Sequence, residues 1–342
     1  MRPLVPERWS RILVRSCNWI GDVLLSQPAV AALRRACPRA HLAALARPWC
    51  APVLERTPGV DEVLSLEPGL PGRLKAVGRL RQGRFDAAVV LPTSVDSAVL
   101  PFLAGVPVRI GYRTEGRGLL LTHGIPRRAE VRRQHQVEYY LDLLRGAGIP
   151  AVWSSPVLVL RPEDRARAAQ LLEARGVGPE EGLIGISPGA SYGPAKRWPA
   201  ERFAGLAGRL AQAGAGRLVV FGGPGEEALG RAIAARAGDR VLDVSGRTSL
   251  SEALALIERC RLFVTNDSGL MHAAAALQVP VVALFGPTDP VLTGPAGGGA
   301  EILRRPVPCS PCHRRTCPID HRCLEWLGTD DVYQACLRQL KI

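Results

Sequence analysis

A chain of 342 residues with 47% hydrophobic and 22% charged residues is too long for one small core and divides into two domains of ordinary size. Residues 1–17 mix basic and apolar positions without the unbroken apolar stretch of a secretion signal or membrane span, so a cytoplasmic, soluble protein is expected. Nine cysteines do not make a secreted disulfide framework in a chain this long, because five are scattered and four cluster between Cys309 and Cys323.

In chain order, short apolar runs at residues 12–14, 41–46, 63–66, 87–91 and 108–110 alternate with helical stretches such as 23–36 and 136–144. That alternation predicts a parallel sheet wrapped by helices. The pattern restarts after a proline-bounded linker at 150–156, with strands at 183–187, 218–221, 241–244, 262–265 and 281–284. Helices fit between them at 201–212, 226–237, 250–258 and 269–277. The glycine-rich stretch 294–299 is the one low-complexity tract. Two α/β units follow, with boundaries expected at 1–155 and 156–325 and a last helix, 326–342, able to pack back on the first domain.

The formal net charge is +13, and +10 of it falls in residues 1–150. Seven arginines between Arg109 and Arg133, answered there by only Glu115 and Glu130, form either a solvated face or a surface for an anionic partner.

In open α/β sheets, ligands bind beyond the carboxyl ends of strands, so loops directly after strands carry the candidates. Asn18-Trp19-Ile20-Gly21-Asp22 follows the first strand and opens a helix. Asp22 there is an ordinary helix-start acid or a general base for an acceptor hydroxyl. Residues 187–199, Ser-Pro-Gly-Ala-Ser-Tyr-Gly-Pro-Ala-Lys-Arg-Trp-Pro, join a strand to a helix and read as a phosphate cradle. The chain has three lysines against 41 arginines, so Lys196 beside Arg197 hints at a compact ammonium on a diphosphate oxygen. Phe221-Gly222-Gly223-Pro224-Gly225-Glu226 lacks the full dinucleotide fingerprint; Glu226 either accepts from a ribose or occupies a first helical turn. The strongest block is Thr265-Asn266-Asp267-Ser268-Gly269-Leu270-Met271-His272, followed by Phe285-Gly286-Pro287-Thr288. It offers helix N-terminal amides to an anion, with His272 one turn along. No Asp-x-Asp pair occurs, so a metal-bridged diphosphate lacks its usual carrier, leaving lysine, helix dipoles and amides to hold the charge.

The tail holds Cys309, Cys312, Cys317 and Cys323 with His313 and His321. The spacing is not that of a tidy zinc ribbon, and free, paired and metal-bound thiols all stay open.

Taken together, NWIGD, HQVEYYLDLL, PGASYGPAKRWP and TNDSGLMHAAAALQVPVVALFGPTDP resemble the ADP-heptose:lipopolysaccharide heptosyltransferases, glycosyltransferase family 9, and within them the heptosyltransferase II branch. The resemblance runs over nearly the whole chain with the motifs in the same order. It implies a GT-B fold: two facing Rossmann-like α/β/α domains with the active site in the interdomain cleft. It further implies a metal-independent, inverting transfer of L-glycero-D-manno-heptose from ADP-heptose to the heptosylated inner core of lipopolysaccharide, without a cofactor. Carried over to this sequence, Asp22 is the base, and Lys196, Glu226, Asp267, Ser268, Gly269, His272 and Thr288 bind the donor. Asn18, Arg109 and Arg113 are candidates for the acceptor. The expected setting is a monomer at the cytoplasmic face of the inner membrane, meeting a lipid A-anchored acceptor and no nucleic acid. Heptosyltransferase I, another transferase of the family and a nucleotide-sugar epimerase are the rival enzymes. A noncatalytic nucleic-acid binder is the rival from another class, weakened by the lack of stacking aromatics among the arginines, where Tyr112 stands alone.

Overall fold

The computed structural model describes residues 4–238, 240–297 and 299–342. The chain divides into two compact units between Val159 and Leu160. The linker segment belongs to the first unit. There the Val157 amide donates to Gln27 Oε1 at 2.9 Å and the Val159 amide to the Arg56 carbonyl at 2.9 Å.

The first unit runs β1 (Arg11–Arg15), α1 (Ile20–Ala36), β2 (His41–Ala46), α2 (Ala51–Leu54), β3 (Glu62–Ser65), α3 (Gly69–Gln82), β4 (Ala87–Val90), α4 (Val95–Leu103), β5 (Val108–Tyr112), β6 (His123–Ile125) and α5 (Gln136–Gly146). Its strands form one parallel sheet in the order β3-β2-β1-β4-β5-β6. Strands such as Ala87-Ala88-Val89-Val90 are buried throughout, as a sheet covered by helices on both faces demands. One core on this sheet joins Leu13, Leu45 and Ala88 to Val77 and Leu80 of α3 and Leu100 of α4.

The second unit runs α6 (Pro162–Glu173), β7 (Leu183–Ser187), α7 (Ala200–Gln212), β8 (Arg217–Val220), α8 (Glu227–Ala237), β9 (Val241–Asp243), α9 (Leu250–Glu258), β10 (Cys260–Asn266), α10 (Gly269–Ala276), β11 (Val281–Phe285), α11 (Pro290–Thr293), β12 (Ala300–Arg304), α12 (Arg322–Glu325) and α13 (Thr329–Leu340). The sheet order β12-β11-β10-β7-β8-β9 repeats the plan of the first unit. In both sheets the winding reverses between the first strand and the fourth, β1 beside β4 and β7 beside β10. Those are the switch points where an open α/β sheet leaves a crevice for ligands.

The ten strands expected from sequence are all present, within one or two residues at most ends. Two more, β6 and β12, close a far edge of each sheet, and their short or half-exposed sequences carry little apolar signal. Residue 298 of the glycine tract lies outside the described residues.

The last helix packs within the second unit. Val332, Ala335, Cys336 and Leu340 of α13 are buried in the core of the second unit with Phe203, Leu206 and Leu210 of α7. Trp198 fastens this arrangement: it is fully buried, sits edge-on to Phe203 with ring centroids 4.9 Å apart, and donates Nε1–H to the Leu327 carbonyl at 2.9 Å. Trp198→Ala should destabilise the protein by about 3–5 kcal/mol, from lost burial and the cavity left behind; the Leu327 carbonyl keeps its second donor, Arg202 Nη1 at 2.7 Å. Denaturant unfolding followed by far-ultraviolet circular dichroism measures it.

Candidate active site

At the switch point of the second unit, the loop after β7 meets the loop after β10. Asn266, at the end of β10, accepts from the Trp198 amide at 3.0 Å and donates to the Pro188 carbonyl at 2.7 Å. One buried side chain thus ties both ends of the 188–198 loop to the neighbouring strand. The loop carries Lys196 to Asp267, Nζ to Oδ2 at 2.5 Å, and the Thr288 hydroxyl donates to the same carboxylate oxygen at 2.6 Å. The lysine and carboxylate side chains are only 12% and 6% exposed, so water screens this pair weakly. The Lys196 ammonium also lies 4.9 Å from the centre of the Tyr192 ring, and the Arg315 guanidinium 5.4 Å from that same ring.

Beside them α10 begins. Ser268 caps it, accepting from the Met271 amide at 3.4 Å, and its hydroxyl lies 3.1 Å from that of Thr265. Gly269 is the first helical residue, and His272 is buried in the first turn. A helix N-terminus beside a lysine gives partial and full positive charge on one small surface, which suits a diphosphate. Glu226 accepts from the Gly223 amide at 2.9 Å and stands 3.6 Å from Arg197 Nη2. A Cβ on Gly189 would lie 2.2 Å from Glu226 Oε1, so only glycine lets this carboxylate reach the loop that carries Lys196. The structure therefore gathers Lys196, Glu226, Asp267, Ser268, Gly269, His272 and Thr288 on loops and helix starts at one sheet edge.

The cysteine-rich tail folds against this loop. The Arg315 carbonyl accepts from the Ala195 amide at 3.0 Å, the His313 carbonyl from the Tyr192 hydroxyl at 2.7 Å, and His321 Nε2 meets the Ala195 carbonyl at 2.7 Å. Cys309, Cys312, Cys317 and Cys323 are free thiols that line a small cavity of about 20 Å³ with His321. Burial pushes the Cys323 thiol up to about 11, with the other three sulfurs adding to the rise. Among the described residues, no group of three or more histidine, cysteine or acidic side chains is arranged to hold a metal ion. Gly193 makes the tail contact possible, since a Cβ there would sit 2.4 Å from the Arg315 carbonyl oxygen. Gly193→Ala should push the tail off the loop, read as faster hydrogen exchange of the Ala195 amide, which now donates to the Arg315 carbonyl.

At the switch point of the first unit, Asp22 is half-buried in the first turn of α1. Its charge reaches the buried Cys17, Cys50 and Tyr140. The Cys50 thiol rises to about 12, chiefly by burial, with Arg15 opposing and Asp22 adding to the rise. Asn18 is half-buried just before that turn, its side-chain oxygen accepting from Arg15 Nη2 at 2.9 Å. Arg15 is 1% exposed at the end of β1, and burial lowers its guanidinium to about 10. Sequence reasoning passed over Arg15, although an arginine closing an apolar strand was its available signal.

The two arginines expected to meet an acceptor, Arg109 and Arg113, differ in setting. Arg113 directly follows β5 and is exposed near the same edge as Asp22's loop. Arg109 lies near the opposite end of β5, donates to the Leu120 carbonyl at 2.7 Å and to the Val106 carbonyl, and covers the Phe102 ring. Two of its three guanidinium nitrogens are engaged by the fold. Arg117, in the same basic run, is buried and donates to Tyr112, Pro92 and Ser94 carbonyls. The run is therefore partly scaffold rather than one basic surface.

Residues 73–322 match the family model described as glycosyltransferase family 9 (heptosyltransferase). The chain is 35% identical to lipopolysaccharide heptosyltransferase 2 of Escherichia coli over 316 residues, covering 86% of this chain and 88% of that protein. It is 36% identical to the enzyme of the same name from Salmonella typhimurium over 311 residues, with the same coverage. The solved structure of ADP-heptose LPS heptosyltransferase II from E. coli superposes with a TM-score of 0.82 at 33% identity, covering 97% of this chain and 98% of that one. Two parallel six-stranded sheets flanked by helices agree with that fold. The chain belongs to glycosyltransferase family 9, the heptosyltransferases, and is a glycosyltransferase.

Proposed function

We propose that this enzyme transfers L-glycero-D-manno-heptose from ADP-heptose to the heptosylated inner core of lipopolysaccharide, the reaction of heptosyltransferase II. The observation that carries the proposal is the Lys196–Asp267–Thr288 cluster at the start of α10, in a chain of this family. Lys196 and the amides at the start of α10 would hold the diphosphate, and Glu226 the nucleoside. Asp267 and Thr288 fix the lysine, while Ser268 and His272 flank the leaving group. Among the described residues no helix is long and apolar enough to cross a membrane, and the acceptor is taken to be presented at a membrane surface. The excess positive charge of residues 1–150 suits that acceptor, because lipid A and inner-core acids are anionic.

The reaction is an inverting displacement. Asp22 removes the proton of the acceptor hydroxyl as its oxygen attacks the anomeric carbon. The bond from that carbon to the diphosphate oxygen breaks on the opposite face, and its electron pair leaves with ADP. Orientation and charge stabilisation of the departing diphosphate supply most of the acceleration.

The direct test mixes purified protein, ADP-heptose and an inner-core acceptor carrying one heptose, with chelator present. Expected are ADP release matched by a product one heptose heavier by mass spectrometry. Conversion of the donor without acceptor would favour an epimerase, and transfer only to an acceptor lacking heptose would favour heptosyltransferase I.

A further inference from the structure

Six tryptophans are present and four are exposed, Trp19, Trp49, Trp153 and Trp326; of these, Trp19 and Trp49, each 53% exposed, stand together beside the loop of Asp22. They occupy the loops after β1 and β2, adjacent parallel strands whose register pairs Arg15 with Leu45, so both loops leave the same sheet edge side by side. Trp19 directly precedes α1, three residues before Asp22. Trp49 is not a loose surface residue: its Nε1–H donates to the Asn18 carbonyl at 2.8 Å, which orients the indole against the Asn18–Trp19 segment. Arg47 stands 6.0 Å from the centre of the Trp49 ring and is held by the Leu66 and Glu67 carbonyls at 3.2 and 3.3 Å. The result is two apolar aromatic faces and one cation on the loops that border Asp22.

Indole faces take the C–H face of a pyranose, and a guanidinium forks onto a carboxylate or phosphate. We propose that Trp19, Trp49 and Arg47 form the acceptor subsite, which binds an acidic saccharide: the indoles stack on its rings, and Arg47 pairs with its acid group. This rests on the transfer reaction set out above and identifies where its acceptor is held. The orienting hydrogen bond to Asn18 and the closeness to the base favour a saccharide over a lipid surface, which would not require one indole to be fixed at the start of α1.

The test uses full-length wild type, Trp49→Ala, Trp49→Phe and Trp19→Ala with a water-soluble, deacylated inner-core saccharide as acceptor and saturating ADP-heptose. Expected is a rise of tenfold or more in acceptor KM for each alanine variant, with partial recovery in Trp49→Phe. The donor KM and the thermal midpoint should stay within twofold and a few degrees of wild type. Acceptor KM within twofold of wild type in both alanine variants would overturn the subsite. So would a matching rise in donor KM, or loss of binding to anionic phospholipid vesicles with acceptor KM unchanged, which would make the indoles a membrane contact. If wild type transfers no heptose, the reaction itself is wrong. The subsite is then read separately by quenching of tryptophan fluorescence with the same saccharide: quenching lost in Trp49→Ala supports it, and no quenching in wild type rejects it.

Discussion

Asp22→Ala should lower turnover by about 100- to 10,000-fold, the range a positioned general base contributes, while leaving the affinity for ADP and ADP-heptose unchanged. The separation follows from where the residues sit. Asp22 belongs to the first unit, in the opening turn of α1, whereas Lys196, Glu226, Asp267 and Thr288 belong to the second. The fold should survive the change, since an acid in the first helical turn contributes only about 0.3–1 kcal/mol through the helix dipole. Asp22→Asn sharpens the result, because it keeps the size of the side chain and removes its charge and basicity. Both variants should therefore fail together in ADP release with acceptor present. An alanine variant retaining more than about a tenth of the wild-type rate would take Asp22 out of the base role. A variant that loses donor affinity as well would point to a structural part in α1.

The strand pattern and the site loops were legible in the sequence for one reason: buried parallel strands are short apolar runs, and ligand loops follow them directly. Asp267, Ser268 and Thr288 stand after β10 and β11 as that rule requires. Arg109 lies near the start of its strand rather than after it, and its bonds to the Leu120 and Val106 carbonyls have no signal in the sequence. The edge strands β6 and β12 were invisible because an edge needs only one neighbour and tolerates polar, half-exposed residues. The docking of α13 was out of reach for a different reason. An amphipathic helix announces that it has an apolar face, but Trp198, far away in sequence, decides which core receives it. The tail was legible only as a cluster of thiols; its backbone contacts with Tyr192 and Ala195 have no sequence signature.

Lys196→Ala should weaken the binding of ADP and ADP-heptose by about 1–3 kcal/mol, roughly 5- to 150-fold, in titrations without divalent metal. Two effects add. The ammonium that would meet the diphosphate is lost, and the Asp267 carboxylate, 6% exposed and until then neutralised at 2.5 Å, is left to repel the incoming anion. The second effect makes its own prediction: Lys196→Ala combined with Asp267→Asn should bind donor more tightly than Lys196→Ala alone, because the repelling charge is gone. Lys196→Arg should not restore full affinity. A guanidinium is a broad planar fork, whereas this position holds a compact ammonium over the Tyr192 ring and paired with Asp267. Thermal unfolding of each variant separates binding from stability, since removing one partner of a shielded ion pair also loosens the fold. Donor affinity within twofold of wild type in Lys196→Ala, with the fold intact, would remove the lysine from the diphosphate and leave the amides of α10 to hold it alone.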